Sequence, residues 1–288
     1  MAESATVNKM FSHHKVLANS IKLHYVTGGR GPAVLLLHGW PQTWWEWRWI
    51  MPSLAEQFTV VALDLRGFGD SEKPMGGYDA ANLCADVGAL LDHLGLDRVH
   101  LVGHDLGGLV AYAFTRLYSK RVEKLAIADA PLPLFGLDVP MWPQIEKQLW
   151  HLNFFHVPDL PEALIGGREQ MFLTWFFKNG AYDTSAITAA DIEEYTRAYT
   201  APGALRSGFA FNRARELSAA EVKAAAQTKM TTPLLFLGNE LTRLGDLFAE
   251  PLKEIATNFH IATVPRSGHW MPEENPSFVT QQLLSFFA

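Results

Sequence analysis

Residues 99–108 read VHLVGHDLGG. An apolar run closes on Gly103 and His104, one acidic residue follows at Asp105, and Gly107 and Gly108 open the apolar segment GLVAYAFTRLYSK (108–120). Small residues around one reactive side chain suit a sharp strand-to-helix turn. The glycines let the two backbones approach, and the turn lifts the central side chain above a sheet. The stretch therefore predicts strand, turn and helix, with Asp105 exposed at the turn beside the Leu106 N–H and the helix N-terminus. In isolation G-x-D-x-G also fits a plain helix N-cap. The complete strand–turn–helix setting favours a nucleophile.

The segments around this turn repeat its rhythm. IKLHYV (21–26) alternates like a half-buried strand. AVLLLHG (33–39), FTVVALDL (58–65) and VEKLAIAD (122–129) are short apolar runs closed by polar residues or Gly, as strands buried on both faces of a parallel sheet are. Helical spacing separates them in WRWIMPSLAEQ (47–57) and ANLCADVGALLDHLG (81–95). Strands return at TPLLFLGN (232–239) and FHIATVPRSGH (259–269), and PSFVTQQLLSFF (276–287) closes the chain as a helix. This pattern predicts an α/β fold with a mostly parallel, doubly wound sheet. Between its halves, MWPQIEKQLWHLNFF, REQMFLTWFFKNG and ADIEEYTRAYT are aromatic and helix-forming. The expected division is a core of residues 1–131 and 229–288, with a helical cap inserted at 132–228. A cap there covers the strand ends, where open α/β sheets bind ligands.

Of the residues, 48% are hydrophobic and 19% charged, the ordinary balance of a globular protein. The net charge of −6 argues against nucleic acid or an anionic membrane as partner. The single cysteine, Cys84, excludes an intrachain disulfide, and its helical context makes it a core thiol. The N-terminal segment has no apolar run of a signal peptide, and no run is long enough to span a bilayer. These features lead us to expect a cytoplasmic protein acting on a small molecule, as a monomer or homodimer. No metal-ligand cluster or nucleotide loop is visible, so no cofactor and no metal are expected.

A carboxylate at the turn selects the chemistry. Attack on a carboxylic ester would give an anhydride, a poor intermediate. Attack on saturated carbon gives an alkyl ester, which water then hydrolyses. The leaving group is a strained epoxide oxygen or a halide. Ser267-Gly268-His269-Trp270 follows the last strand, and His269 occupies the place of a general base in the order nucleophile, acid, base. Asp129, at a strand end, is the favoured acid; Asp246 and Glu240, after the next core strand, are the alternatives.

His38-Gly39-Trp40-Pro41 follows AVLLL and resembles the oxyanion loop of the α/β-hydrolase superfamily. By that likeness the Trp40 and Leu106 N–H groups bind an oxyanion, the Trp40–Pro41 peptide is cis, and His38 is structural. HGWPQTWWEWRWIMPSLA, DLRGFGDSEKP, LVGHDLGG, DAPLP and SGHWMPEE together resemble the epoxide hydrolase and haloacetate dehalogenase branch of that family, nearest to bacterial Cif-like epoxide hydrolases. The likeness runs from about Ile21 to the end, and its acid motif supports Asp129.

In relatives a first cap donor lies in a motif similar to Trp150-His151-Leu152, which implies that His151 binds an epoxide oxygen or a halide. A second donor is Tyr; this chain has Asn212 there, and Asn donates a hydrogen bond but is no acid. Either proton donation then falls to His151 or to another tyrosine, of which Tyr182, Tyr195 and Tyr199 are nearest, or the substrate differs. Leu106 and Leu109 stand where haloacetate dehalogenases carry carboxylate-binding arginines, and Leu106 also stands where haloalkane dehalogenases carry Trp. Leu152 replaces a Trp of the halide pocket. These departures favour epoxides over organohalides. Of the tryptophans at 44, 45, 47 and 49, either Trp44 or Trp45 is expected to touch substrate.

Overall fold

All five residues of AVLLL are buried, as a strand inside a parallel sheet must be. They form β3 (Ala33–Leu37) of a computed structural model that describes residues 10–130, 132 and 149–288. The other strands are β1 (Ser12–Ala18), β2 (Ile21–Gly29), β4 (Thr59–Asp64), β5 (Val99–His104), β6 (Val122–Ala128), β7 (Leu234–Asn239) and β8 (Phe259–Val264). They lie in the order β1-β2-β4-β3-β5-β6-β7-β8. Pairing is parallel from β4 to β8 and antiparallel at β1–β2 and β2–β4. The fold is α/β, with an eight-stranded, mostly parallel sheet.

Helices cover both faces. α1 (Met51–Leu54) and α12 (Pro276–Phe287) share one apolar cluster with Val34, Leu36 and Val60. α2 (Ala80–His93) and α3 (Leu106–Leu117) pack on the opposite face with Leu35, Leu37 and Leu101. Cys84 is buried in α2, and burial pushes its thiol far above the ordinary range, which leaves it inert.

Two elements differ from expectation. A helix was expected over 47–57. The chain instead makes a 3-10 turn at Trp44–Trp47, capped by Thr43, and then the four-residue α1 with Pro52 in its first turn. Pro has no N–H to extend a helix through that point. SHHKVLA forms the unanticipated edge strand β1; its first four residues are exposed, so it lacks the apolar signal of an inner strand.

Between β6 and β7 the described residues carry α4 (Trp150–His156), α5 (Leu160–Ile165), α6 (Glu169–Gly180), α7 (Ala189–Tyr199), α8 (Ala204–Arg213) and α9 (Arg215–Ala225). Residues 133–148, which include the start of the expected cap, lie outside the described part. α10 (Leu244–Ile255) and α11 (Met271–Glu274) complete the fold. Among the described residues, no helix is long and apolar enough to cross a membrane.

Candidate active site

β5 ends at His104, and the next residue turns the chain into α3. Asp105 sits there at φ 46° and ψ −115°, outside the regions that L residues favour. Close packing holds this strained turn. A Cβ on Gly103 would lie 2.2 Å from the Gly107 carbonyl oxygen, and one on Gly107 would lie 2.1 Å from the Leu37 oxygen. Only glycine fits at either place. Asp105 makes no side-chain cap bond to its helix, so the reading as a plain N-cap fails.

The Asp105 carboxylate is held from one side. The Trp40 N–H donates to its Oδ2 at 3.0 Å, and the Trp40–Pro41 peptide is cis. His269 Nε2 stands 3.8 Å from Oδ1, too far for a hydrogen bond. His269 therefore flanks Asp105 without binding it. His269 Nδ1 lies 2.6 Å from Asp129 Oδ2, which fixes Nδ1 as the protonated nitrogen and turns Nε2 toward Asp105. Asn239 donates to Asp129 Oδ1 at 2.6 Å, and the Asp129 N–H donates to the Leu237 carbonyl at 2.9 Å, so Asp129 is fixed by β7. The alternatives stand elsewhere: Asp246 pairs with exposed Arg243, and Glu240 accepts the Arg266 N–H.

His38 is buried with Nε2 accepting the Leu65 N–H at 3.1 Å and Nδ1 facing the Gly39 carbonyl at 2.9 Å. Both nitrogens are used by the loop, and burial lowers its pKa, so it is a neutral structural residue.

Sequence reading missed a pair beneath Asp105. His104 Nδ1 and Glu46 Oε1 approach to 3.2 Å with both side chains fully buried, at ion-pair distance though out of hydrogen-bond alignment. His104 Nε2 lies 2.8 Å from the His269 carbonyl oxygen. Burial pulls the imidazole pKa down, but the Glu46 charge outweighs it, and the value rises to about 9. Glu46 Oε2 also accepts the Gly39 N–H at 3.0 Å, beside Trp40. The pair thus ties together the nucleophile turn, the His269 loop and the loop that carries the Trp40 N–H.

Above Asp105 lies a cavity of about 160 Å3. Its floor is Trp40, Asp105, Leu106, Asp129 and His269, and its roof includes His151, Leu152, Phe155, Phe176 and Asn212. Leu106 and Leu109 both line it, and Arg215 also reaches it from α9. His151 stacks on Trp40, with ring centroids 6.1 Å apart. Asn212 donates its Nδ2 to the Leu152 carbonyl and so joins α8 to α4. One of its two amide protons thus holds two helices together, while Asn212 also lines the cavity.

Trp44 and Trp45 do not line the cavity, which corrects the expectation for Trp44. The 3-10 turn points the Trp44 ring into the cluster on the far face of the sheet, edge-on to His13 and Trp45, while its N–H donates to Asp64 at 2.8 Å. The Trp45 indole donates to Asp191 at 3.0 Å.

Comparison with known proteins matches this geometry. A family model described as alpha/beta hydrolase fold covers residues 32–174. The soluble epoxide hydrolase of Corynebacterium sp. (strain C12) is 40% identical over 281 residues, 96% of this chain and 97% of that protein. The chain belongs to the α/β-hydrolase family. Within the family, a solved structure of the epoxide hydrolase CorEH without ligand superposes with a TM-score of 0.90 at 40% identity, covering 96% of this chain and 98% of that one. A fluoroacetate dehalogenase from Burkholderia sp. is 34% identical over 202 residues, 68% of this chain and 66% of that protein. This α/β-hydrolase thus sits in the branch that holds both activities.

Proposed function

We propose that the protein is an epoxide hydrolase that converts epoxides to vicinal diols through an alkyl ester on Asp105. The single observation that carries this reading is the Asp105 carboxylate at the strained turn, with His269 Nε2 3.8 Å away and not bonded to it. The epoxide hydrolase relatives support it along the whole chain.

The Trp40 N–H holds Oδ2, which leaves Oδ1 to attack. Oδ1 bonds to a ring carbon, the ring C–O bond breaks, and its electron pair stays on oxygen. His151, on the roof, helps protonate that oxygen. Asp105 is now an ester whose carbonyl is Oδ2. His269, steadied by Asp129, takes a proton from water, and the hydroxide attacks the ester carbon. Negative charge develops on Oδ2, against the Trp40 N–H and the Leu106 N–H. Collapse releases the diol and restores the carboxylate.

The described helices between β6 and β7 act as the cap in this reading, and its support is that they supply the roof of the cavity. The lone cysteine, which allows no intrachain disulfide, supports a cytoplasmic enzyme, working as monomer or homodimer. Incubation with styrene oxide and small aliphatic epoxides should yield diols. No turnover across such a panel, with halide released from organohalides, overturns the reading.

Dehalogenation by the same Asp105 is the second reading, supported by the fluoroacetate dehalogenase likeness and by Arg215 on the cavity lining. Asn212 gives it less support, because its Nδ2 is engaged by Leu152. A halide-release assay with bromo-, chloro- and fluoro-substrates decides between the two.

A further inference from the structure

We propose that Glu274 is a positioning residue for His269: its carboxylate clamps the His269 loop to the end of α6, so that a helix of the cavity roof also holds the imidazole in place. The inference rests on the Asp105 ester of the reading above and concerns the step in which water hydrolyses that ester.

The loop after β8 is fastened on two sides. Toward the sheet, the His269 imidazole meets Asp129, and the His269 carbonyl meets His104 Nε2 at 2.8 Å. Toward α6, the His269 N–H donates to the Gly180 carbonyl at 2.8 Å, and the Trp270 indole N–H donates to the Phe177 carbonyl at 2.7 Å. The two backbones are in contact here. A Cβ on Gly268 would lie 2.3 Å from the Gly180 oxygen and 2.7 Å from the Tyr182 nitrogen. Only glycine permits that approach.

Glu274 closes the joint. It is the last residue of α11, and its side chain turns back over the loop. Oε1 accepts the N–H of Gly268 at 2.9 Å and that of Trp270 at 3.2 Å, the residues on either side of His269. Oε2 accepts the N–H of Tyr182 at 2.6 Å and that of Asp183 at 3.0 Å, just past the end of α6. One carboxylate thus collects four backbone donors, two from each segment. Hydrogen bonds to an ionised acceptor are about twice as strong as neutral ones. The same α6 sends Phe176 to the cavity roof and Gly180 to its lining. Roof and imidazole are therefore held to each other as well as to the sheet.

The two chemical steps need this joint unequally. Oδ1 of Asp105 attacks without help from His269, whose Nε2 stands 3.8 Å away and unbonded. Hydrolysis of the ester needs the imidazole aligned on a water. A group that positions His269 therefore acts on the second step and spares the first. Glutamine at 274 keeps the shape but has one acceptor oxygen, and its NH2 faces the N–H groups of one pair. The clamp then opens on one side.

Single-turnover kinetics with styrene oxide, following the Asp105 ester by mass spectrometry, test the inference. Glu274→Gln should form the ester at the wild-type rate and hydrolyse it about tenfold to a hundredfold more slowly, the size that misalignment at a reacting group reaches. Trp270→Phe removes the indole bond of the same joint and should slow the same step, which covers the case in which Glu274→Gln folds poorly. Amide hydrogen exchange gives a readout apart from rate. The peptides containing Gly268–Trp270 and Tyr182–Asp183 should both exchange faster in Glu274→Gln, and unchanged exchange overturns the inference. Ester hydrolysis at the wild-type rate in the folded variants overturns it too, as does an equal slowing of both steps, which marks a brace for the fold. The two readings fail differently. If the wild-type enzyme forms no ester on Asp105, the covalent reading falls and takes this one with it. If it forms and hydrolyses the ester and the variants match it, only the role of Glu274 falls.

Discussion

Nε2 of His104 faces the His269 carbonyl and Nδ1 faces Glu46, so both nitrogens meet acceptors and only the imidazolium supplies a proton to each. This has a consequence for stability. The His104 pKa rises from 6.5 to about 9 on folding. A raised histidine stabilises the fold fully below its unfolded pKa and loses that contribution as pH rises through the folded one. The shift corresponds to about 3 kcal/mol. Urea unfolding should therefore show stability falling between pH 6.5 and about 9, with a flatter profile in Glu46→Gln. Equal slopes in the two proteins contradict the ion pair. Glu46 itself was illegible in the sequence. It stands among four tryptophans, and nothing local relates it to His104. The places of Asp105 at a strand-to-helix turn and of His269 after the last strand were legible because glycines and strand ends mark them.

Helices and loops around the site are joined by a second buried network. Arg48 pairs with Glu273 and lies 3.0 Å from Asp191 on α7; Gln42 donates to Glu273 at 2.5 Å, and Tyr195 donates to it at 3.1 Å. One carboxylate on α11, just after His269, thereby ties the loop that follows β3 to α7. Burial, opposed by Arg48, raises Glu273 to about 7. Glu273→Ala leaves the Arg48 charge buried with one partner fewer, which should cost about 3 kcal/mol or more. A thermal melt checks this, and an unchanged midpoint contradicts it. The strands were readable from apolar runs alone. The network was not, because its members come from segments far apart in sequence. Edge strand β1 and the 3-10 turn at Trp44–Trp47 escaped for a different reason: exposed polar residues blur one, and tertiary packing overrides helical spacing in the other.

The sheet, the insertion and the loops enclose about 160 Å3 over Asp105, close to the roughly 150 Å3 of a cavity that holds benzene. Its lining is mostly aromatic and aliphatic. Epoxides should therefore gain in kcat/KM up to about the size of styrene oxide and no further with longer chains, since a methylene that stays in water adds none of the roughly 0.8 kcal/mol that burial would give. A chain-length series measures this, and a trend that keeps rising beyond that size contradicts it. The α/β fold was legible from alternating periodicity. The size of the cavity was not, because it depends on how side chains of α4, α6 and α8 meet above Asp105. Everything proposed for this molecule depends on a covalent bond at that carboxylate. The most direct measurement is mass spectrometry of His269→Gln after incubation with styrene oxide. An adduct of the epoxide's mass should appear on the peptide that contains Asp105 and persist. Full turnover to diol without any adduct, or an adduct on another residue, would contradict the mechanism.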